Sequence, residues 1–129
     1  MKTREELDDL SRVIFNAAIS VHREMGPGLL ESVYQMCLAE ELLISEIQIQ
    51  GLVPIPLVYK GRTLNKDYVI DILIEGEIVL ELKAIESIMP VHEAQIISYL
   101  KLANKRLGFL INFNVPLLKS GFKRFVNKF

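Results

Sequence analysis

The clearest pattern in the chain is an alternation of apolar and other side chains between Tyr68 and Lys83. Because side chains on a strand alternate between two faces, this pattern predicts two β-strands around a short turn at Glu75-Gly76-Glu77. One face of the pair is apolar and consists of Ile70, Ile72, Ile74, Ile78, Leu80 and Leu82. The other face carries Asp71, Leu73, Val79, Glu81 and Lys83.

The turn length sets the register of the two strands. A three-residue turn pairs Ile74 with Ile78, and counting back then brings Asp71 opposite Glu81. Opposed residues have Cβ atoms about 4.5–5.5 Å apart, a separation at which two carboxylates repel. A divalent cation bound between the two carboxylates would offset their repulsion, because hard cations bind clustered carboxylate oxygens. The alternative is an edge hairpin with solvated charges, but two apolar residues on the same face predict that this face is covered.

Three other segments show apolar residues at helical spacing. They predict an amphipathic helix over residues 4–25, ended by Gly26-Pro27-Gly28, and a second helix from about Leu29 to Ser45. Pro90 is suited to open a third helix, which runs to about Ala103. One side of that third helix carries His92, Gln95 and Tyr99. Such a polar stripe is unusual for a plainly solvated face.

The remaining segments complete the predicted fold. Residues 47–59 form a strand at a sheet edge, because Pro54 and Pro56 cannot donate to a ladder. Leu107–Phe113 is typical of a strand covered on both faces, and residues 121–126 form a short last strand or an irregular docked segment. This order predicts an α/β fold, with a mixed central β-sheet and helices on both faces. We expect a single domain over residues 1–129, with the helix 4–25 followed by a core of about 28–127.

Composition narrows the class of protein. Half of the residues are hydrophobic and 24% are charged, which is typical of a globular chain and not of a disordered one. No apolar run is long enough to span a bilayer, and the charged first residues lack the apolar core of a signal peptide. A single cysteine, Cys37, excludes an intrachain disulfide and fits a reducing compartment. We therefore expect a cytoplasmic protein with no membrane partner.

Charge is spread unevenly, although the net charge is only −1. All 16 acidic residues lie within residues 1–93, whereas residues 94–129 contain seven basic residues and no acid. A basic tail of this kind can bind phosphate backbones. It includes Lys101, Lys123 and Arg124. A solvated basic face is the alternative, and the sequence does not separate the two.

The order Asp71, nine residues, Glu81-Leu82-Lys83 resembles the active-site signature of the PD-(D/E)XK nuclease superfamily. One helix later, Gln95 and Tyr99 resemble the Gln-x3-Tyr motif of lambda-exonuclease-like nucleases and of nuclease domains in recombination helicases. Ile70 stands where the superfamily name has a proline, a position that is often replaced.

A second motif narrows the resemblance. Gly28-Leu29-Leu30-Glu31-Ser32-Val33-Tyr34 matches the signature of the GxxExxY proteins, small prokaryotic members of that superfamily. The resemblance continues through Val91–Gln95 and Leu110–Asn114, and it covers roughly residues 22–126. It implies a restriction-endonuclease-like core.

The resemblance also implies roles for individual residues. Asp71 and Glu81 would be metal ligands together with the backbone carbonyl of Leu82, and Glu31 would be a further acidic ligand from the preceding helix. Lys83 would lie beside the attacking water. The implied cofactor is Mg²⁺ or Mn²⁺, which acidifies bound water and polarises a phosphoryl oxygen.

The implied catalytic set is completed by Gln95, which would orient the site. Expected nucleic-acid contacts, with the basic tail included, are Tyr99, Lys101, Lys123 and Arg124. Accessory groups are His92 and Tyr34.

Two hypotheses of function follow. The first is a metal-dependent nuclease that hydrolyses phosphodiester bonds of nucleic acid, with DNA as the expected substrate. The alternative is a catalytically silent nucleic-acid-binding or protein-interaction module on the same fold. The sequence leaves open DNA versus RNA, exonuclease versus endonuclease action, and whether the protein is a homodimer.

Overall fold

Three helices and five strands account for most of the chain. The structure is a computed structural model that describes all residues, Met1–Phe129. The helices are α1 (Arg4–Met25), α2 (Glu31–Ile44) and α3 (Pro90–Ala103). The strands are β1 (Ile49–Tyr59), β2 (Arg62–Ile74), β3 (Ile78–Lys83), β4 (Leu107–Asn112) and β5 (Phe122–Val126), and a 3₁₀ turn at Leu118–Gly121 precedes β5. None of the helices combines the length and the apolar character needed to cross a membrane.

The five strands form one mixed sheet in the order β1-β2-β3-β4-β5. β3 and β4 are parallel, because α3 carries the chain back between them, and every other pair is antiparallel. The predicted α/β class is therefore confirmed. β1 lies at the edge, as its two prolines require. Every residue of β4 is buried, which agrees with the continuous apolar run in its sequence.

The two faces of the sheet carry cores of unequal size. α1 and α2 cover one face, where 19 buried residues form the larger core. α3 covers the other face, where only six buried residues form a smaller core. Helices thus lie on both faces, as predicted. The smaller core leaves part of the α3 face free for polar side chains, and Glu81, Lys83 and Gln95 of the predicted site lie there.

The hairpin register predicted from the sequence is confirmed. Ile74 pairs with Ile78, and Leu73 pairs with Val79, as predicted. Glu75 and Gly76 have φ angles of 49° and 71°, which a tight turn requires. The turn is closed by a hydrogen bond from the Glu77 N–H to the Ile74 carbonyl, 2.9 Å long.

One expectation about the faces is wrong. Simple alternation places Ile70 with Ile72 on the α1/α2 face, but Ile70 belongs to the smaller core on the α3 face. The reason is an irregularity at Leu52 and Asp71, which interrupt the β1–β2 ladder. Leu52 has a φ of 51°, and both strands change the direction of their side chains at this point. Asp71 lies at the bend.

The second helix also begins later than expected. The sequence suggested a start near Leu29, but α2 begins at Glu31. Gly26 and Gly28 have φ angles of 70° and 97°, so the chain between α1 and α2 makes a turn that glycine favours. Leu30 has extended backbone and precedes the first helical turn.

Gly121, at the end of the 3₁₀ turn, approaches the backbone too closely to accept a side chain. A Cβ at this position would lie 2.2 Å from the Asn112 carbonyl oxygen. We expect Gly121→Ala to lower the free energy of unfolding by about 3 kcal/mol, because backbone atoms must move. Gly51→Ala is the control, since its Cβ would meet only ordinary contacts, the nearest at 3.9 Å. Urea unfolding of both variants measures the difference, and equal losses would contradict the close approach.

Candidate active site

The centre of the site is a crossed arrangement of two carboxylates at the fork of β2 and β3. The Oε1 of Glu81 accepts a hydrogen bond from the Asp71 N–H, 3.3 Å long. In return, Oδ2 of Asp71 accepts from the Leu82 N–H at 2.7 Å. The β2–β3 register pairs end at Ile72 and Leu80, just before this point. The two side chains therefore satisfy backbone groups where the strands separate.

Helix α2 holds the opposite side of the Asp71 backbone. The Asp71 carbonyl accepts a hydrogen bond from Nε2 of Gln35, 3.0 Å long. This bond replaces a ladder partner that β1 does not supply, because the neighbouring strand is irregular at Leu52. Gln35 was not among the residues suggested by the sequence. No local pattern marks it, since its role depends on the packing of α2 beside the bend in β2.

Lys83 is connected to α3 through a chain of hydrogen bonds. Its Nζ donates to Oε1 of Gln95 at 3.2 Å, and Nε2 of Gln95 donates to the Tyr99 hydroxyl at 3.2 Å. The predicted polar stripe of α3 thus faces the sheet at Gln95 and Tyr99. The Lys83 ammonium forms no ion pair within 4.0 Å, so neither carboxylate is directly neutralised.

Burial of these carboxylates shifts their protonation. Glu81 is only 4% exposed. Burial raises the pKa of Glu81 to about 8, and the Asp71 charge adds to the shift, while the Asp71 N–H and the Lys83 ammonium oppose it. Burial also raises the pKa of Asp71, against the effects of the Leu82 N–H and of Lys83. A buried glutamate beside a half-buried aspartate, both with raised pKa values, is typical of functional sites, because the protein holds them where charge is unfavourable.

Glu31 approaches the pair from the start of α2. Its side chain keeps contact with solvent, yet partial desolvation and then the Asp71 charge raise the pKa of Glu31, while Lys83 lowers it. Glu31 is therefore close enough for the charges of Asp71 and Lys83 to shift its pKa. It does not complete a ready-made site, because no three His, Cys, Asp or Glu side chains are arranged to hold one metal ion.

Tyr34 fixes the turn that precedes Glu31. Its hydroxyl donates to the Gly26 carbonyl at 2.6 Å and accepts from the Leu29 N–H at 3.1 Å. Its ring is fully buried and stacks on Phe113, with centroids 4.6 Å apart. The tyrosine of the sequence motif thus holds the turn between Gly26 and Leu29, from which Glu31 projects.

His92 and Leu82, two further residues named in the sequence analysis, form defined hydrogen bonds. Nδ1 of His92 accepts a hydrogen bond from the Met89 N–H at 2.8 Å, so His92 caps the start of α3. Leu82 is fully buried, and its N–H bond to Asp71 places its peptide beside the carboxylate pair. The contacts of its carbonyl with a metal stay a prediction.

Asn112, which the sequence analysis did not assign, fixes the loop after Lys83. Its Oδ1 accepts from the Ile85 N–H at 3.1 Å, and its Nδ2 donates to the Ile85 carbonyl at 2.9 Å. Asn112 is 1% exposed. A signal was present in the sequence, because Asn112 is the single strongly polar side chain in the apolar run Leu107–Phe113.

The proposed nucleic-acid contacts do not lie together. Lys123 pairs with Leu110, which pairs with Glu81, so Lys123 lies on the face of the site, roughly 10 Å away across two strand spacings. Its Nζ binds Oε2 of Glu93 at 3.1 Å. Arg124 points to the opposite face, where it pairs with Asp8 of α1 at 3.7 Å.

The other two predicted contacts differ in exposure. Tyr99 is 8% exposed and packs against Tyr68, with ring centroids 5.6 Å apart. Burial, followed by the Glu81 charge, raises the pKa of Tyr99. Lys101 is exposed on α3 and forms no ion pair. Their contact with nucleic acid stays a prediction.

The donor set fits a divalent cation with a partly open coordination shell. Asp71 and Glu81 supply two adjacent carboxylates that no ammonium neutralises. Mg²⁺ is usually bound by one or two carboxylates, with waters and substrate phosphates as its other ligands. A cation there would oppose the desolvation that raises the pKa of both acids, because a positive charge favours the charged carboxylate.

The site thus combines a forked carboxylate pair, a lysine on the same strand and a glutamine from the crossover helix in a mixed α/β sheet. The sequence profile of the PD-(D/E)XK nuclease superfamily matches residues 8–125, and the chain belongs to that superfamily. No curated protein and no solved structure gives a significant match. Membership of the superfamily places the fold among the nucleases as a class. The narrower GxxExxY assignment rests on the sequence motif alone.

Glu81 makes the stability of the metal-free protein depend on pH. The folded state keeps the Glu81 proton up to about pH 8, whereas an unfolded glutamate loses it above about pH 4.3. Between these values the folded state binds more protons, so stability falls as pH rises, by about 1.4 kcal/mol for each unit of pKa difference. Glu81→Gln stays neutral and should lose this dependence. Urea unfolding in chelator at several pH values measures it.

The comparison between the two proteins isolates Glu81 from other titrating groups. Wild type should lose stability relative to Glu81→Gln between about pH 5 and pH 8. A wild type that instead gains stability relative to the variant over this range would show that Glu81 is held in its charged form.

Proposed function

We propose that the protein is a metal-dependent nuclease that hydrolyses phosphodiester bonds, with DNA as its substrate. The observation that carries the proposal is the unneutralised pair Asp71 and Glu81 with Lys83 on the same strand. It occurs in a member of the PD-(D/E)XK nuclease superfamily. We also propose that the chain is a member of the GxxExxY type, supported by the motif Gly28–Tyr34, in which the Tyr34 hydroxyl accepts a hydrogen bond from the Leu29 N–H in front of Glu31.

Asp71 and Glu81 would hold the cation, Mg²⁺ or Mn²⁺, with the Leu82 carbonyl beside them and Glu31 at the rim. A bound divalent cation supplies acidified water and neutralises phosphate charge. Asp71 and Glu81 would bind the cation in their charged forms, because a nearby positive charge lowers the pKa of a carboxyl group.

Lys83 would act on the substrate. Its ammonium stands beside the carboxylate pair and donates one hydrogen bond to Gln95 at 3.2 Å, which leaves further donors free. These can orient a nucleophilic water or bind a phosphoryl oxygen as negative charge develops. Gln95 is a positioning residue in this scheme, since it joins Lys83 to Tyr99.

A catalytically silent binding module on the same fold is the second candidate. It is favoured by the bonds that both carboxylates make to backbone N–H groups, which occupy part of their capacity as acceptors. A silent module needs no metal, whereas a nuclease does. The response of the folded protein to metal therefore separates the two candidates.

Asp71→Asn tests metal binding. Wild type should gain thermal stability from Mg²⁺ or Mn²⁺, about 2.7 kcal/mol at one hundred times the dissociation constant, because the metal binds only the folded state. Asp71→Asn should lose most of this gain and all cleavage of labelled DNA, without unfolding. Asp67→Asn is the matched control, since it makes the same change at an exposed position on the same strand.

Lys83→Ala separates metal binding from turnover. It should retain the stabilisation by metal and lose about a hundredfold or more in cleavage rate, because its proposed task lies in the transition state. Melting curves with metal and with chelator, run beside the cleavage assay, measure both quantities. A wild type that neither responds to metal nor cuts single-stranded, duplex or branched DNA would favour the silent module.

The opposite faces of β5 allow a matched test of the basic tail. Lys123→Gln should weaken DNA binding and lower the slope of log affinity against log salt by about 0.9, if Lys123 contacts one phosphate. Arg124→Gln removes the same charge from the adjacent residue on the other face and should leave the slope unchanged. Equal effects of the two variants would mean that DNA binding depends on the net charge of the protein and not on which face of β5 carries the charge.

A further inference from the structure

The β1–β2 hairpin extends beyond the rest of the sheet. The outer part of this hairpin, residues 56–67, is here called the hairpin arm. All of its residues are exposed except Leu57, which is half-buried. The β2–β3 register pairs cover only Ile72–Ile74 of β2, so the hairpin arm has no neighbouring strand on the β3 side. It is a two-stranded projection that contributes no buried residue to either hydrophobic core.

The hairpin arm carries basic residues that nothing in the chain neutralises. Lys60, Arg62 and Lys66 are exposed, and none of them forms an ion pair. By contrast, both arginines that flank β4 and β5, Arg106 and Arg124, have acidic partners. The arm contains one acid, Asp67, so its net charge is positive in a protein whose net charge is −1.

The base of the hairpin arm is attached to the candidate active site. Tyr68, the next residue on β2, contacts Tyr99, and the Tyr99 hydroxyl accepts the hydrogen bond from Gln95. Gln95 in turn binds Lys83. The arm leaves the sheet at the end where β3 reaches Lys83, because β2 runs antiparallel to β3. Seven residues of β1 separate its tip from the bend, a length of roughly 20 Å.

The tip of the hairpin arm consists of Tyr59, at the end of β1, and the tight turn at Lys60 and Gly61. Lys60 and Gly61 have φ angles of 50° and 77°, the combination that a tight hairpin turn with matching twist requires. The Lys60 ammonium lies 5.5 Å from the centre of the Tyr59 ring. The tip therefore presents an aromatic ring and two cations at one place, a combination suited to a nucleic-acid backbone and its bases.

We propose that the hairpin arm is an accessory nucleic-acid-binding element that contacts backbone phosphates outside the active site. The proposal rests on the proposed nuclease function. With a reach of roughly 20 Å and 3.4 Å per nucleotide step, the contacts lie about six base pairs from the bond to be cut. Binding by the arm is independent of sequence, because phosphate contacts carry no base information.

The test compares two double variants that each remove two positive charges. Lys60→Asn with Arg62→Gln changes the hairpin arm, and asparagine suits the turn at Lys60. Lys128→Asn with Lys105→Gln is the control. Lys128 also has a positive φ, 54°, and both control residues lie at the opposite end of the sheet, next to the pair Leu107 and Val126.

Affinity is measured in chelator, where no metal-dependent cleavage occurs, on a duplex of about 20 base pairs and on a hairpin stem of about 5. On the long duplex, the arm variant should lose roughly tenfold in affinity at 0.1 M salt, and its salt slope should fall by about 2. On the short stem it should bind like wild type, because the arm reaches beyond the stem. The control variant should match wild type on both substrates.

Several results overturn the proposal. They are an unchanged slope in the arm variant, equal losses in the arm and control variants, a loss of the same size on the short stem, or no measurable affinity of wild type for the long duplex. A wild-type dimer that the arm substitutions dissociate would instead make a second copy of the chain the occupant of the arm. Melting curves check that all variants are folded.

The two proposals fail in different ways. If wild type cuts no DNA and does not respond to metal, yet the arm variant loses affinity for the long duplex, the nuclease function fails and the binding element stands. If Asp71→Asn abolishes cleavage while the arm variant binds and cuts like wild type, the nuclease function stands and the binding element fails.

Discussion

The candidate site depends on two crossed hydrogen bonds at the fork of β2 and β3, one from the Asp71 N–H to the Glu81 carboxylate and one from the Leu82 N–H to the Asp71 carboxylate. Each carboxylate accepts from a backbone N–H of the opposite strand. This arrangement satisfies the backbone where the ladder stops, and it also places the buried Glu81 beside the half-buried Asp71. Burying paired carboxylates without a cation is unfavourable, and the raised pKa values of both residues follow from that. A fold kept for stability alone would place an apolar pair here.

The surrounding elements hold this fork from three directions. α2 supplies Gln35 to the Asp71 carbonyl, α3 supplies Gln95 to Lys83, and β4 supplies Asn112 to the loop after β3. Each contact comes from a different segment of the chain, so the geometry is set by the packed fold and not by any local sequence. The small core on the α3 face leaves the space in which these polar groups meet.

Charge in this protein is organised in space more evenly than along the sequence. Three of the seven basic residues that follow residue 93 have acidic partners: Arg106 binds Glu77, Lys123 binds Glu93 and Arg124 binds Asp8. The basic side chains of the hairpin arm remain unpaired. Unpaired cations therefore lie at the end of the sheet where β3 reaches Lys83.

The sequence by itself determined the helices, the strand order of the central hairpin and its register, because each depends on local periodicity and on one turn. It also determined which acids oppose each other, since Ile74 and Ile78 fix Asp71 and Glu81. Only the tertiary structure decided the bend that moves Ile70 to the α3 face, the role of Gln35, and which side of β5 faces the site. These features arise from contacts between distant segments, whose effect on the backbone no local pattern records.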